Sequence, residues 1–123
     1  MVLVVDDDEG IVQLLDTALS HKGYRVQTAF DGAEAYGHLK DPACKCMLLD
    51  MNMPRINGAE LLLLMQADGI RVPTIVMAGF QDFDEEEIRQ FENVVKFMPK
   101  PFKLDEMLEA ISRYARPPTQ TAG

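Results

Sequence analysis

Residues 2–9 read Val-Leu-Val-Val-Asp-Asp-Asp-Glu, four apolar side chains followed at once by four acids. A short run that is apolar at every position fits a strand buried on both faces, as in a parallel sheet. A strand with one wet face alternates instead. Four more short runs are predominantly apolar and rich in β-branched residues: Tyr24–Ala29, Cys46–Leu49, Thr74–Ala78 and Val94–Met98. Each gap between them has room for a helix and two short loops, and each carries helical signals. Residues 9–21 gather Ile11, Val12, Leu14, Leu15, Ala18 and Leu19 as one apolar face, with Gly23 as the stop. Asp31 caps a helix over 32–40 that buries Ala35, Tyr36 and Leu39, and Asn57 caps a Leu-rich helix over 58–67. Asp82 or Asp84 opens a short helix to about 91. A last helix over 103–115 presents Leu104, Met107, Leu108, Ile111 and Tyr114. Five βα repeats predict an α/β fold, a doubly wound sandwich around a five-stranded parallel sheet.

The 123 residues suit one domain, residues 1–116, with a polar, Pro-rich tail over 117–123 that reads as the start of a linker. Twenty acids against twelve bases give a formal net charge of −8, the wrong sign for a direct nucleic-acid binder. No apolar run approaches the ~20 residues that span a bilayer. Residues 1–10 have neither the basic stretch nor the long apolar core of a signal peptide, so a cytoplasmic protein is expected. Cys44 and Cys46 form neither a disulfide framework nor a zinc quartet. Two apart on a strand they would share a face, as buried inert thiols. His21 and His38 read as surface residues, and most of the eight methionines as core filler. Met51 and Met53 flank Asp50, where they would shape access by a donor.

An open parallel sheet binds its ligands beyond the C-terminal ends of the strands. The residues closing the runs therefore matter most: Asp6-Asp7-Asp8-Glu9, Asp50, Ala78-Gly79 and Pro99-Lys100-Pro101. Carboxylates gathered at one edge repel unless a hard cation such as Mg²⁺ sits among them. A lysine there pairs with the acids or with an incoming phosphoryl group, and an aspartate can act as a nucleophile towards phosphorus. Asp8 and Glu9 read as helix caps or solvated charges; acids also suit a helix N-terminus without any further role.

Three stretches, VLVVDDDEGI, LLDMNMPRINGAELL and KFMPKPF, taken in order, resemble the receiver domain of two-component response regulators. The likeness runs from Val2 to about Arg116. It implies the flavodoxin-like strand order 2-1-3-4-5. It also implies Asp50 as phosphoryl acceptor, Mg²⁺ on Asp6, Asp7, Asp50 and the backbone carbonyl of Asn52, Lys100 on the phosphoryl oxygens, and a cis bond before Pro101. The partners implied are a histidine kinase or phosphotransfer protein, and a C-terminal output domain or separate effector; a homodimer is compatible with it. Such a domain promotes its own phosphorylation but turns over no external substrate, so it is not classed as an enzyme.

One position departs from the pattern. The family's fourth strand usually closes in Thr or Ser, whose hydroxyl meets a phosphoryl oxygen and draws in the following loop. Here Ala78 stands there, and Thr74 lies at the far end of the strand. The aromatic three places before the lysine is Phe97, which has no hydroxyl. The expectation is a domain that accepts phosphate but switches weakly. The alternative is a phosphorylation-independent pseudo-receiver serving as an interaction or dimerisation module. A third reading, a Mg²⁺-dependent phosphohydrolase, wants a second Asp where Asn52 stands, and a cap domain. Residues 79–87, two phenylalanines among five acids, read as helix capping and packing in preference to a partner-binding patch.

Overall fold

The apolar runs condense into a parallel sheet because each is flanked by a helix that covers one of its faces. The structure, a computed structural model, describes residues 1–53, 56–79 and 85–115. Its elements in chain order are β1 (Val2–Val5), α1 (Glu9–His21), β2 (Val26–Ala29), α2 (Gly32–Leu39), β3 (Cys46–Asp50), α3 (Gly58–Ala67), β4 (Thr74–Ala78), α4 (Glu85–Arg89), β5 (Val94–Pro99) and α5 (Leu104–Tyr114). The five strands are parallel in the order 2-1-3-4-5. Asp82, Asp84, Phe80, Phe83, Pro54, Arg55 and the tail over 117–123 lie outside the described residues.

The central strands β1, β3 and β4 are buried at every position, while the edge strands β2 and β5 are buried only in part. Continuous apolarity thus marks the middle of the sheet. Side chains alternate between two cores. Leu3, Val5, Met47, Leu49, Val76 and Ala78 meet Leu61, Leu62, Met65 and Ile88 beneath α2, α3 and α4. Val2, Val4, Cys46, Leu48, Ile75 and Met77 meet Leu15, Leu19, Met107 and Ile111 beneath α1 and α5.

The caps follow the sequence signals. Asp31 accepts from the Glu34 amide at 2.8 Å, and Asn57 forms a reciprocal box with Glu60. Asp8 caps α1 through the amides of Gly10 and Ile11. β2 begins at Val26 rather than Tyr24, because the Tyr24 amide still closes the end of α1 on the Leu19 carbonyl, past Gly23 at φ 94°. α4 ends at Arg89, since Gln90 and Phe91 donate three residues back, to Glu87 and Ile88, in a tighter turn.

Three side-chain expectations are corrected. Leu14 is 48% exposed; at 100° per residue it stands opposite Val12, so the buried stripe of α1 is Val12, Leu15 and Leu19. Tyr114 is likewise exposed, and the buried face of α5 is Met107, Ala110 and Ile111. Cys44 and Cys46 are both buried but face opposite cores, because Cys44 precedes the first residue of β3 and the strand period does not reach it.

Candidate functional site

Strand parity builds the site. Asp6 follows Val2 and Val4, and Asp50 follows Cys46 and Leu48, so both acids leave the sheet on the α1/α5 side at its carboxyl edge. Ala78 follows Val76 on the α3/α4 side. β5 would break this order if it were regular. Thr74 pairs with Val94 but Ile75 pairs with Lys96, which leaves Val95 as an extra residue, a bulge. Val94 packs into one core and Val95 into the other; after the bulge the phase is reset, with Phe97 in the first core and Met98 in the second. The reset places Lys100 on the same side as Asp6 and Asp50.

Asp6 is fully buried and Asp50 is 3% exposed. Asp6, Asp7 and Asp50 each offer one oxygen within 4.8 Å of the others'. The Lys100 ammonium donates to Asp6 Oδ2 at 2.8 Å and lies 3.4 Å from Asp50 Oδ1. The Asp8 amide donates to Asp6 Oδ1 at 2.9 Å, and the Asn52 amide to Asp50 Oδ1 at 3.2 Å. Among the described residues, the hydrogen bond and the ion pair of Asp50 both fall on Oδ1. The Lys100–Pro101 bond is cis, and the Lys100 amide donates to the Ala78 carbonyl at 2.9 Å. Ala78 is buried, and half-buried Phe97 packs against the core that contains it.

Burial pushes the Asp50 carboxyl up to about 6, and the neighbouring Asp6 adds to the rise against the Asn52 amide and Lys100. Burial alone would lower Lys100, yet its hydrogen bond to Asp6 and the charges of Asp6 and Asp50 outweigh it and hold the ammonium above its usual value. Among the described residues, one lysine against three carboxylates leaves negative charge uncompensated. The donors are all hard oxygens from two strand ends, so the residues fit a divalent cation such as Mg²⁺.

Sequence reasoning missed Gly58 as a site residue. A Cβ there would lie 2.7 Å from Met51 Sδ, 2.8 Å from Met51 Cα and 3.0 Å from the Asp50 carbonyl oxygen. Only a residue without a side chain lets α3 start so near the end of β3. The cue was a glycine eight residues after the acid, ambiguous because it also follows a helix cap.

A 2-1-3-4-5 sheet with clustered carboxylates and a lysine at its carboxyl edge is the architecture of a two-component signalling module. A family model described as the response regulator receiver domain matches residues 2–112, and the chain belongs to that family. Response regulator MprA of Mycobacterium avium (strain 104) is 32% identical over 119 residues, 94% of this chain and 52% of that protein. Response regulator MprA of Mycobacterium ulcerans (strain Agy99) is 33% identical over 107 residues, 87% of this chain and 46% of that protein. The chain spans about half the length of these curated relatives. Among solved structures, the Francisella response regulator 1452 receiver domain superposes with a TM-score of 0.80 at 28% identity, covering 91% of this chain and 93% of that one. The receiver domain of NtrX from Brucella abortus gives 0.79 at 28%, covering 92% and 96%. Among the described residues, no helix is long and apolar enough to cross a membrane.

Proposed function

We propose that this receiver domain, taken as residues 1–116, accepts a phosphoryl group on Asp50. The donor is the phosphohistidine of a kinase or phosphotransfer protein, or a small acyl phosphate, and the change passes to an output domain or effector. The observation that carries this is the buried Asp50 within 4.8 Å of two further carboxylates and 3.4 Å from Lys100. With Oδ1 engaged by the Asn52 amide and Lys100, Oδ2 is left to attack phosphorus as the donor's P–N bond, or the P–O bond of an acyl phosphate, breaks and its electron pair leaves with the imidazole or the carboxylate. Asp6, Asp7, Asp50 and the Asn52 carbonyl would hold Mg²⁺, which when bound screens the charge between carboxylate and phosphoryl group. Lys100, anchored on Asp6, meets the developing charge on the phosphoryl oxygens. The domain consumes no external substrate catalytically, and we assign it as a signalling acceptor rather than an enzyme. Intact-mass measurement after incubation with acetyl phosphate and Mg²⁺ tests the assignment. One phosphoryl group should be added and be lost in Asp50→Asn; an unmodified wild-type chain would refute it.

Ala78 bears on the switch. The missing hydroxyl removes one hydrogen bond to a phosphoryl oxygen, about 0.5–1.5 kcal/mol for a neutral pair and up to about 3 for a charged one. The cation and Lys100 act through larger Coulomb terms, so acceptance survives while the pull on the loop after β4 weakens. Beryllofluoride should therefore shift amide resonances around Asp50 strongly and those over 79–100 weakly. Full-range shifts across 79–100 would refute the muted switch. Ala78 also favours the second reading, a phosphorylation-independent interaction module. Absence of any beryllofluoride response at Asp50 would select it.

A further inference from the structure

The start of α2 and the loop that follows Asp50 meet through backbone. The Gly32 amide donates to the Ile56 carbonyl at 3.1 Å. A Cβ at Gly32 would collide with that same carbonyl oxygen and lie 2.8 Å from Ile56 Cβ and Cγ2. The obstacle is main chain, so no rotamer relieves it. Gly37, on the same helix, would place a Cβ with nothing within 4 Å. Among the described residues, the loop's other ties run to β4, through the Met51 amide to the Met77 carbonyl at 3.1 Å, and back to its own strand and helix, through Asn52 to Asp50 Oδ1, Gly58 to the Met51 carbonyl at 3.4 Å, and the Asn57–Glu60 box. Ile56 is where α2 takes hold of it.

We infer that Gly32 is a positioning residue for the cation site: by admitting the Ile56 carbonyl against the first turn of α2, it sets the loop that presents the Asn52 carbonyl. The inference rests on the proposed reading that this carbonyl joins Asp6, Asp7 and Asp50 at Mg²⁺. Mg²⁺ tolerates little departure from octahedral geometry at about 2.0–2.1 Å. A displacement of a few tenths of an ångström in one ligand is therefore felt as affinity, while the carboxylates, borne on strand ends, stay in place. Coupling of this kind is reciprocal: if the Gly32–Ile56 contact favours the bound cation, the bound cation favours the contact.

The test uses the 123-residue chain and Mg²⁺ alone, titrated by calorimetry and by amide NMR well below the melting temperature. Gly32→Ala should keep wild-type circular dichroism, shift the Asn52 and Met53 amides in the metal-free protein, and bind Mg²⁺ at least about five-fold more weakly. Gly37→Ala should bind within two-fold of wild type. A folded Gly32→Ala variant with wild-type affinity overturns the inference, since a role in helix stability alone would move the melting temperature and leave the affinity unchanged. Should Gly32→Ala fail to fold, hydrogen exchange in the wild type decides. Mg²⁺ must slow exchange of the Gly32 amide, and an unchanged rate refutes the coupling. A wild-type chain that binds no Mg²⁺ refutes the acidic-site reading itself, and this inference with it.

Discussion

Replacing Asp50 with Asn should stabilise the metal-free protein at pH 7.5. Asp50 is almost fully buried beside Asp6, and its carboxyl titrates near 6 against an ordinary 3.8. Asn has the same shape as the protonated acid and keeps an oxygen for the Asn52 amide. A rise of roughly 2 units, at about 1.36 kcal/mol each, makes the ionised native state less stable by on the order of 2–3 kcal/mol. At about 4 °C per kcal/mol for a chain of this size, the melting temperature in EDTA should rise by on the order of 10 °C. The pH dependence carries the sign. A folded carboxyl with a raised pKa takes up its proton before the unfolded one does. Wild-type stability therefore gains relative to the variant as pH falls through 6, and the difference closes near 4. Mg²⁺ should raise the wild-type melting temperature and leave Asp50→Asn little changed. Thermal scans from pH 4 to 8, with and without Mg²⁺, provide the measurement. Equal or lower stability of Asp50→Asn at pH 7.5 in EDTA would show that the acidic edge is not electrostatically crowded.

Lys100→Met removes the ammonium 2.8 Å from the fully buried Asp6 and should destabilise the metal-free chain by about 2–4 kcal/mol in urea unfolding, with partial recovery in Mg²⁺. Because the Lys100 ammonium is held above its ordinary 10.5, its contribution persists below that pH and is lost only as pH rises beyond it. Gly58→Ala forces a methyl against Met51 and the Asp50 carbonyl and should lower stability by about 1–3 kcal/mol; an unchanged urea midpoint would contradict the close approach. Burial raises both thiols, Cys46 to about 12, so a thiol reagent at pH 8 should label the native protein slowly and both cysteines rapidly in urea. Fast labelling without denaturant would count against the buried placement.

The class of fold and the acidic edge were legible because both depend on local features. Runs such as Val2–Val5 and Cys46–Leu49 are apolar throughout because they occupy the middle of the sheet, and the acids that end them mark its carboxyl edge. What escaped depends on partners distant in sequence. Leu14 and Tyr114 are apolar yet exposed, and only helix phase against a particular neighbour separates them from Leu15 and Ile111. The orientation of Cys44 depends on where β3 begins, and the importance of Gly32 on a carbonyl 24 residues later in the chain. The bulge at Val95 is invisible to periodicity because it is held across strands. Asn93 donates its side-chain amide to Thr74 Oγ1 at 3.2 Å and to the Val72 carbonyl at 3.3 Å, while the Thr74 amide donates to the Asn93 carbonyl at 2.7 Å.

That one extra residue acts on β5 as a frameshift acts on a message. Every side chain downstream of Val95 is read out on the opposite face from the one its distance to Val94 would dictate. Straightening the bulge with every residue kept, so that Val95 paired with Ile75, would leave composition and charge pattern intact, yet it would turn Phe97 towards α1 and α5 and carry the lysine away from its carboxylates. A graft of KFMPKPF into another sheet must therefore bring the irregularity upstream of it, or follow a regular strand that is one residue shorter. In β5 the unit that transfers function is the motif together with its phase.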